Sequence, residues 1–274
     1  MGLSIGIVCY NSPLDQITSL IDSLIGSIRY LRQNCAVSVI PIFIIDNSEE
    51  PMLALENFAD KKKLFDDLNI ELRHLSGQGN IGYGSAHNLT LHKLDSDFHL
   101  MLNPDVILEN ETLLNAINMM TQDHDVKLVS PHAIDQEGAK QYLCKHYPSV
   151  LTLLMRGIFP VFLKKLFVNR LADYEMRGLT EAEISDNIKL ASGCFMFVDT
   201  RALQTIGGFD ESFFLYFEDF DLSLRMGRLG KLLYAPNVRI THSGGFAARK
   251  GFWHVKVFIT SGYRFFNKHG WLFF

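Results

Sequence analysis

Three acidic side chains are crowded into four positions of one short stretch of the chain. Glu218, Asp219 and Asp221 follow the aromatic run "FFLYF" and precede a helical pattern of leucines. The exposed N–H groups and the positive dipole end of a helix start favour acids, which is a purely structural explanation of the cluster. The apolar run before them, however, predicts the wall of a pocket, where a carboxylate is a candidate general base.

Polar residues end four successive predicted strands. The segments "CYNSP", "DNSEE", "SGQGNIGYGSAHN" and "NPDV" each follow an apolar run, and they contribute Asn11, Asp46, Asn47, Asn80 and Asp105. Ligands of open α/β sheets bind outside the carboxyl ends of the strands. Turn formation alone explains Asn, Asp, Gly and Pro in any one of these loops. Four such loops in succession predict a shared binding site.

Short apolar runs alternate with amphipathic segments through the first half of the chain. Strands are predicted at 3–9, 40–46, 70–75, 97–103 and 126–131, and helices at 13–33, 82–94 and 111–123. Repeated strand, helix, strand units indicate an α/β fold with a mostly parallel central sheet flanked by helices. A polar loop at 172–187 leads into another strand at 188–200, and no linker-like segment divides the chain.

Composition limits the class of protein. The chain has 274 residues, 47% of them apolar, which suffices for the core of one large domain. The net charge of −4 gives no general footprint for nucleic acid, so an anionic ligand requires a local site. Four widely spaced cysteines without a C-x-x-C pair argue against a zinc site and suit the cytoplasm. We expect no secretory signal, because the start "MGLSIGIVCYNSPLD" has no basic segment and turns polar after about ten residues. We expect no membrane-crossing helix, because the apolar stretch 150–168 is interrupted by charges, Gly and Pro.

Six motifs resemble one enzyme family by their order and spacing. They are "IVCYN", "IIDNS", "GNIGYGSAHN", "LNPDV", "SGCFMFV" and "GGFDESFFLYFEDFDLSLR". Together they span about residues 3–245 and resemble family 2 of the inverting nucleotide-sugar glycosyltransferases, most closely its rhamnosyltransferase-like branch. The resemblance implies a single GT-A domain over 1–274. It would consist of a nucleotide-sugar-binding half (about 1–132), an acceptor-binding and catalytic half (about 133–250) and an aromatic C-terminal helix (about 251–274).

The resemblance also implies roles for individual residues. Asp219 matches the general base, and Glu218 is the other acid of that pair. Asp46 matches an acid that accepts a hydrogen bond from the ring N3–H of uracil or thymine. The positions that match nucleotide-sugar contacts are Tyr10, Asn11, Asp46, Asn47, Asn80, Gly82, Asn88, Asn103 and Asp105.

A divalent metal, Mg²⁺ or Mn²⁺, is part of what the resemblance implies. Asp105 matches the acid that binds this metal on the donor diphosphate, and His242 in "ITHSGG" resembles the histidine that follows the base-bearing helix. The family motif is often Asp-x-Asp, whereas this chain has Asn103 at the first position. Because an amide oxygen carries no charge, we expect the metal to take most of its ligands from the diphosphate.

The residue types fit direct displacement at a sugar carbon. A metal and N–H groups stabilise the departing nucleoside diphosphate, while one carboxylate deprotonates the acceptor hydroxyl, and attack from the opposite face inverts the anomeric centre. The resemblance makes dTDP-L-rhamnose the first expected donor, for cell-surface polysaccharide such as O-antigen, with a UDP-sugar as alternative. A nucleotidyltransferase would show a basic Gly-rich loop in place of "CYNSP", and a non-catalytic nucleotide-binding protein would not need Asp219.

Two basic or aromatic segments point to the acceptor. Cations alternate with apolar residues in and beside 147–171, and the tail 251–274 is rich in aromatics. This pattern suits peripheral contact with the inner face of the plasma membrane and a polyprenyl-diphosphate-linked acceptor. A core helix with a solvated basic face explains the first segment equally well, and a homodimer interface explains the tail. The cations concerned are Lys145, Arg156, Lys164, Lys165 and Arg170.

Overall fold

The computed structural model describes residues 1–157, 167–244 and 251–274. Two of the lysines predicted to face a lipid surface, Lys164 and Lys165, lie outside these residues. A third cation of that group, Lys145, is buried, with 7% of its surface exposed, so it does not face a lipid surface.

Eleven strands are present in the part of the chain that the structure describes. They are β1 (Leu3–Cys9), β2 (Ile40–Asp46), β3 (Ile70–Leu75), β4 (Phe98–Leu102), β5 (Val106–Leu108), β6 (Val126–Ile134), β7 (Lys140–Gln141), β8 (Cys144–Lys145), β9 (Leu190–Ala191), β10 (Phe195–Asp199) and β11 (Lys231–His242).

The same residues contain nine α-helices and two short 3₁₀ helices. The α-helices are α1 (Leu14–Asn34), α2 (Lys62–Asp67), α3 (Tyr83–Asn88), α4 (Thr112–Gln122), α5 (Val150–Gly157), α6 (Val168–Tyr174), α7 (Thr200–Thr205), α8 (Glu218–Met226) and α9 (Phe252–His269). The 3₁₀ helices are Leu55–Lys61 and Leu91–Lys93.

Nine of the described strands form one central sheet, and the fold class predicted from the sequence is confirmed. The sheet order is β3-β2-β1-β4-β10-β6-β11-β5, with β7 paired to β6. The strands β3, β2, β1 and β4 run parallel, as expected for successive strand, helix, strand units. Strand β10 lies antiparallel between β4 and β6, and β5 pairs antiparallel with β11, so the sheet as a whole is mixed.

Burial explains why the parallel strands are readable from the sequence. Every residue of β1 is buried, and alternate side chains enter different cores: Ile5 and Ile7 join one with α1 and α4, whereas Val8 joins another with α7 and α8. A strand covered on both faces must be apolar throughout. Strands β1, β2 and β3 therefore have the predicted bounds, and α1 and α4 differ from them by one residue at each end.

Two predicted elements are each divided in the structure. The helix expected at 82–94 is α3 followed by the 3₁₀ helix Leu91–Lys93. The strand expected at 188–200 divides at Gly193: β9 pairs with β8 in a separate two-stranded sheet, while β10 enters the central sheet. This division places the backbone of Gly193 at the point where the two sheets meet.

The C-terminal helix α9 packs on the segment that leads into α8. Phe265 and Phe266 lie in an aromatic core with Phe213 and Phe217, all almost fully buried. Other aromatic residues of α9 and the tail stay exposed, including Phe252 at 85% and Phe274 at 83%. None of the helices in the described residues is long and apolar enough to span a membrane.

Candidate active site

The loops that follow β1, β2 and β3 meet at one edge of the sheet, as their polar sequences predict. The N–H of Asn47 donates to the Cys9 carbonyl at 2.7 Å, which ties the end of β2 to the end of β1. The side-chain amide of Asn47 donates to Asn80 Oδ1 at 3.2 Å and accepts from the N–H of Ile81 at 3.3 Å. Asn47 therefore holds the third loop against the second.

Asp46 is fully buried at the end of β2 and organises its own loop. Its carboxylate accepts from the N–H groups of Ser48 (3.1 Å), Met52 (2.7 Å) and Leu53 (3.0 Å). Burial by itself raises the pKa of this carboxyl, but these hydrogen bonds hold it below its ordinary value. Both oxygens are thus used within the protein, and contact of Asp46 with a nucleobase stays a prediction.

Gly82 brings the loop between β3 and α3 against the second half of the chain. Its φ of 92° lies in the left-handed region, and a Cβ there would stand 2.5 Å from the Phe214 carbonyl oxygen. The next residue, Tyr83, donates its N–H to that same carbonyl at 3.2 Å. Only glycine permits this close approach of two backbones.

Three of the predicted nucleotide-binding residues have surroundings unlike those of Asn47 and Asn80. Tyr10 and Asn11 lie at the exposed end of β1, where Asn11 adopts φ 48° and donates its N–H to Ser48 Oγ. Asn88 is the last residue of α3, and its amide donates to Phe209 and Glu211 and accepts from the Phe209 N–H. The side chain of Asn88 is therefore occupied in joining α3 to the loop before α8, and the structure does not bring it together with the other polar residues.

The acidic cluster occupies the first turn of α8, and the backbone before it is strained. Tyr216 and Phe217 both have positive φ, 67° and 65°, which is uncommon for aromatic residues. Such conformations cost on the order of 1–3 kcal/mol each and persist where the surroundings over-determine them. Here the aromatic core around Phe217 fixes the turn that delivers Glu218 and Asp219 to the site.

Asp219 and Glu218 have different surroundings. Asp219 Oδ2 accepts from the Gly193 N–H at 3.0 Å, and Oδ1 accepts from the N–H of Phe220 at 2.9 Å. Glu218 is 5% exposed, and its Oε2 has no hydrogen-bond partner among the described residues. Burial raises the pKa of both carboxyls, and the neighbouring charge of Asp219 pushes the pKa of Glu218 well above its usual range. Like charges this close disfavour ionisation of both groups, and the two N–H donors to Asp219 favour its charged form, so we expect Asp219 to carry the charge of the pair.

Tyr83 and Gly193 complete this part of the site, although the sequence reading assigned neither of them a role. The Tyr83 hydroxyl donates to the Gly193 carbonyl at 2.6 Å, while the Gly193 N–H donates to Asp219. Burial raises the pKa of the Tyr83 phenol well above its ordinary value, and the charges of Glu218, Asp219 and Asp105 add to this effect. Tyr83 therefore lies near both the acidic pair and Asp105. The glycine of "SGC" was the available signal.

Asp105 and His242 lie together in a second part of the site, and Asp105 is also near Tyr83. His242 Nε2 is 3.5 Å from Asp105 Oδ1, an atom that is buried and has no hydrogen-bond partner among the described residues. The Gln141 side chain accepts from His242 Nδ1 at 2.7 Å and donates to the His242 carbonyl at 2.8 Å. The bond to Gln141 Oε1 places a hydrogen on Nδ1, so Nε2, the nitrogen nearer Asp105, is the one that could bind a metal.

These residues fit a divalent cation in part. Asp105 and His242 supply two ligand atoms, and no group of three His, Cys, Asp or Glu side chains suited to a metal occurs within 1–157, 167–244 and 251–274. Asn103 is anchored by its N–H to the Cys194 carbonyl at 2.9 Å. Since hard cations accept many oxygen ligands, a diphosphate would have to supply the others.

Comparisons with known proteins agree with this geometry. No family model matches the chain. It is 25% identical over 200 residues to Rhamnosyltransferase WbbL of Escherichia coli, covering 68% of this chain and 71% of that one. It is 26% identical over 184 residues to the N-acetylglucosaminyl-diphospho-decaprenol L-rhamnosyltransferase of Mycobacterium tuberculosis, covering 62% and 58% of the two chains. These similarities to rhamnosyltransferases agree with the resemblance of the motifs to the rhamnosyltransferase-like branch of family 2.

A solved structure confirms the GT-A fold. The mannosyltransferase PcManGT of Pyrobaculum calidifontis, in complex with GDP-Man and Mn²⁺, superimposes with a TM-score of 0.58 at 16% identity. The match covers 93% of this chain but 59% of PcManGT, so the chain spans little more than half of that enzyme and of the mycobacterial relative. The fold that the motifs imply is thereby confirmed.

Proposed function

We propose that the chain is an inverting glycosyltransferase in which Asp219 is the general base. The observation that carries the proposal is the Asp219 carboxylate, held by the Gly193 N–H at 3.0 Å in the site that also contains Asp105. The first part of the chain, about 1–132, would bind the nucleotide sugar, and about 133–250 would bind the acceptor.

The reaction needs two services from the protein. Asp219 takes the proton of the acceptor hydroxyl as that oxygen attacks the anomeric carbon, and burial suits it to this role because a raised pKa makes the carboxylate a stronger base. Asp105 and His242 would hold a divalent metal, which when bound neutralises charge on the departing nucleoside diphosphate. The loops tied together by Asn47 and Gly82 hold the donor in line with that attack.

We propose L-rhamnose, carried by dTDP, as the donor sugar, and a UDP-sugar as the alternative. Both curated relatives above are named as rhamnosyltransferases, which supports rhamnose. The mycobacterial name also specifies a diphospho-decaprenol acceptor, which supports a lipid-linked glycan as the acceptor of this chain. We place the reaction at the cytoplasmic face of the membrane, in cell-surface polysaccharide assembly.

The exposed face of α9 supports a membrane-bound acceptor. Phe252, Val255, Ile259 and Tyr263 follow helical spacing and are all more than half exposed. The residues 251–274 contain no acid but do contain Lys256, Arg264 and Lys268, in a chain whose net charge is −4. An apolar helix face flanked by cations binds at the interface of an anionic lipid surface.

The decisive experiment measures nucleoside diphosphate release across a panel of dTDP-, UDP- and GDP-sugars with a lipid-linked acceptor. Asp219→Asn should bind donor normally, because its amide oxygen still accepts from Gly193, and should lower turnover by about 10²–10⁴-fold. Glu218→Gln is the matched control. Because burial and the neighbouring charge of Asp219 favour the neutral form of Glu218, the isosteric amide should leave turnover nearly unchanged. Near-normal transfer by Asp219→Asn, or equal losses in both variants, would refute the assignment of the base.

A further inference from the structure

A cluster of cations surrounds one carboxylate on the acceptor side of the site. Arg177 donates twice to Glu175 Oε2, at 2.9 and 2.6 Å, and Arg156 Nε lies 3.8 Å from the other oxygen of Glu175. Lys145 belongs to the same group, because its Nζ donates to the Tyr142 carbonyl while Arg177 lies 5.5 Å above the Tyr142 ring. We call Lys145, Arg156 and Arg177 the basic cluster. Two of its three cations contact Glu175.

The three cations of the basic cluster differ in how deeply they are buried. The side chains of Arg156 and Arg177 are 51% and 42% exposed, that of Glu175 is 16% exposed, and Lys145 as a whole is 7% exposed. Lys145 Nζ donates to the Tyr142 carbonyl and lies 6.0 Å above the Tyr174 ring. Burial, followed by the charge of Arg156, lowers the pKa of Lys145 to about 8. A buried cation is costly, and an anionic ligand would lower that cost.

The basic cluster is connected to the proposed base. Lys145 pairs with Leu190 in the two-stranded sheet, and three residues further along the chain Gly193 donates its N–H to Asp219. The Tyr174 ring, beside Lys145, is also within electrostatic reach of both Arg156 and Asp219. The cluster and the base are therefore joined by a short piece of chain and share Tyr174 as a neighbour, as a single acceptor that contacts both would require.

We propose that the basic cluster binds the diphosphate of the acceptor, so that Lys145 and Arg177 hold the group that links the acceptor sugar to its lipid. This inference rests on the proposed function, which requires a diphosphate-linked acceptor, and it assigns residues that neither the motifs nor the relatives identify. Phosphate oxygens accept charge-assisted hydrogen bonds from guanidinium and ammonium groups. The acceptor hydroxyl, one sugar away, then faces Asp219.

Binding is tested first, because it needs no turnover. The affinity of inorganic pyrophosphate is measured by calorimetry with the donor site saturated by dTDP, for the wild type, Lys145→Met and Arg177→Gln. Methionine fills the space of a buried lysine without its charge. Each variant should weaken pyrophosphate binding by about tenfold to a hundredfold, as expected when a charge-assisted hydrogen bond is lost. Lys189→Gln, an exposed lysine outside the cluster, should bind like the wild type. Unchanged affinity in both cluster variants overturns the proposal.

Kinetic and vesicle-binding measurements distinguish an acceptor diphosphate from a lipid headgroup as the anion that the basic cluster binds. With a prenyl-diphosphate-linked acceptor, Lys145→Met should raise KM about tenfold or more, and with an alkyl glycoside of the same sugar it should leave KM within twofold. Equal loss on both acceptors overturns the proposal, because it indicates a structural lysine. Vesicles containing phosphatidylglycerol should bind the wild type and Lys145→Met alike, and a parallel loss of vesicle binding would show that the cluster recognises lipid headgroups. If no sugar donor supports transfer, the proposed function fails, while pyrophosphate binding still tests the cluster.

Discussion

Replacing Asp221 by Asn should destabilise the helix that carries the proposed base. Asp221 is fully buried, and its carboxylate contacts three cations or potential cations: Arg225 Nε at 2.7 Å, Lys268 Nζ at 2.7 Å and His269 Nε2 at 2.7 Å. Arg225 lies one turn along α8, whereas Lys268 and His269 end α9. This carboxylate therefore fastens the C-terminal helix to the helix of Asp219.

The loss of stability depends on which other hydrogen-bond and ion-pair partners each cation keeps in the variant. Lys268 is 34% exposed and keeps Asp210 at 2.6 Å, so it loses little. Arg225 is only 13% exposed, and although it retains the carbonyls of Ile206 and Gly208, its charge would lose its sole ion-pair partner in the described residues. Removing one member of a buried pair costs about 3–5 kcal/mol. Because Lys268 keeps its ion pair with Asp210, we expect a loss at the lower end of this range, about 3 kcal/mol.

Urea denaturation followed by tryptophan fluorescence measures this change directly. A loss of about 3 kcal/mol corresponds to a fall in Tm of about 6–12 °C for a chain of this size class. The control is Lys231→Ala, which removes an exposed ion pair with Asp123 outside this cluster and should therefore change the free energy of unfolding far less. If Asp221→Asn changes the free energy of unfolding by less than 1 kcal/mol, the ion cluster does not hold α9 on α8 and the reasoning is wrong.

Three further predictions test the donor site and the membrane face. Asp105→Ala should weaken nucleotide-sugar binding and transfer together, and a chelator should do the same to the wild type, because the metal would join protein and diphosphate; full activity in chelator contradicts this. In denaturation and dTDP-binding assays, Gly82→Ala should lose both stability and affinity, whereas Gly138→Ala, also at positive φ but with open space around it, should lose about 1 kcal/mol of stability alone. Ile259→Glu should reduce salt-sensitive binding to anionic vesicles, and Val39→Glu, at a similarly exposed valine, should not.

Local pattern was sufficient for the long buried strands and the amphipathic helices α1 and α4 of the first half. Strands such as β1 are apolar at every position because both faces are covered, and the amphipathic repeat of α1 covers one of those faces. The position of β10 was not predictable in the same way. Its apolar sequence fits a parallel or an antiparallel neighbour equally well, and only the tertiary fold inserts it between β4 and β6.

The site was predictable where a side chain is polar at a strand end, and less so where its partners come from afar. Asn47 and Asn80 do meet, 33 residues apart, because their strands are neighbours. Asn88 has the same residue type and lies in the same motif, yet it is occupied by the loop at 209–211, a contact that spans 121 residues. Gln141, which orients His242, had no signal at all, because a glutamine in a short polar stretch has many roles.

The three acids of α8 illustrate this limit most clearly. In the sequence Glu218, Asp219 and Asp221 are equivalent candidates, since each is an acid in the first turn of a helix. The fold separates them by what reaches each carboxylate: a backbone N–H from Gly193 to Asp219, the side chains of α9 to Asp221, and no hydrogen-bond partner for Glu218 Oε2 in the described residues. The carboxylate of Asp221 is occupied by Arg225, Lys268 and His269, and burial favours the neutral form of Glu218. Asp219 is the acid of the three that is bound by backbone N–H groups and has no cation beside it among the described residues, and for that reason the proposed proton transfer is assigned to it.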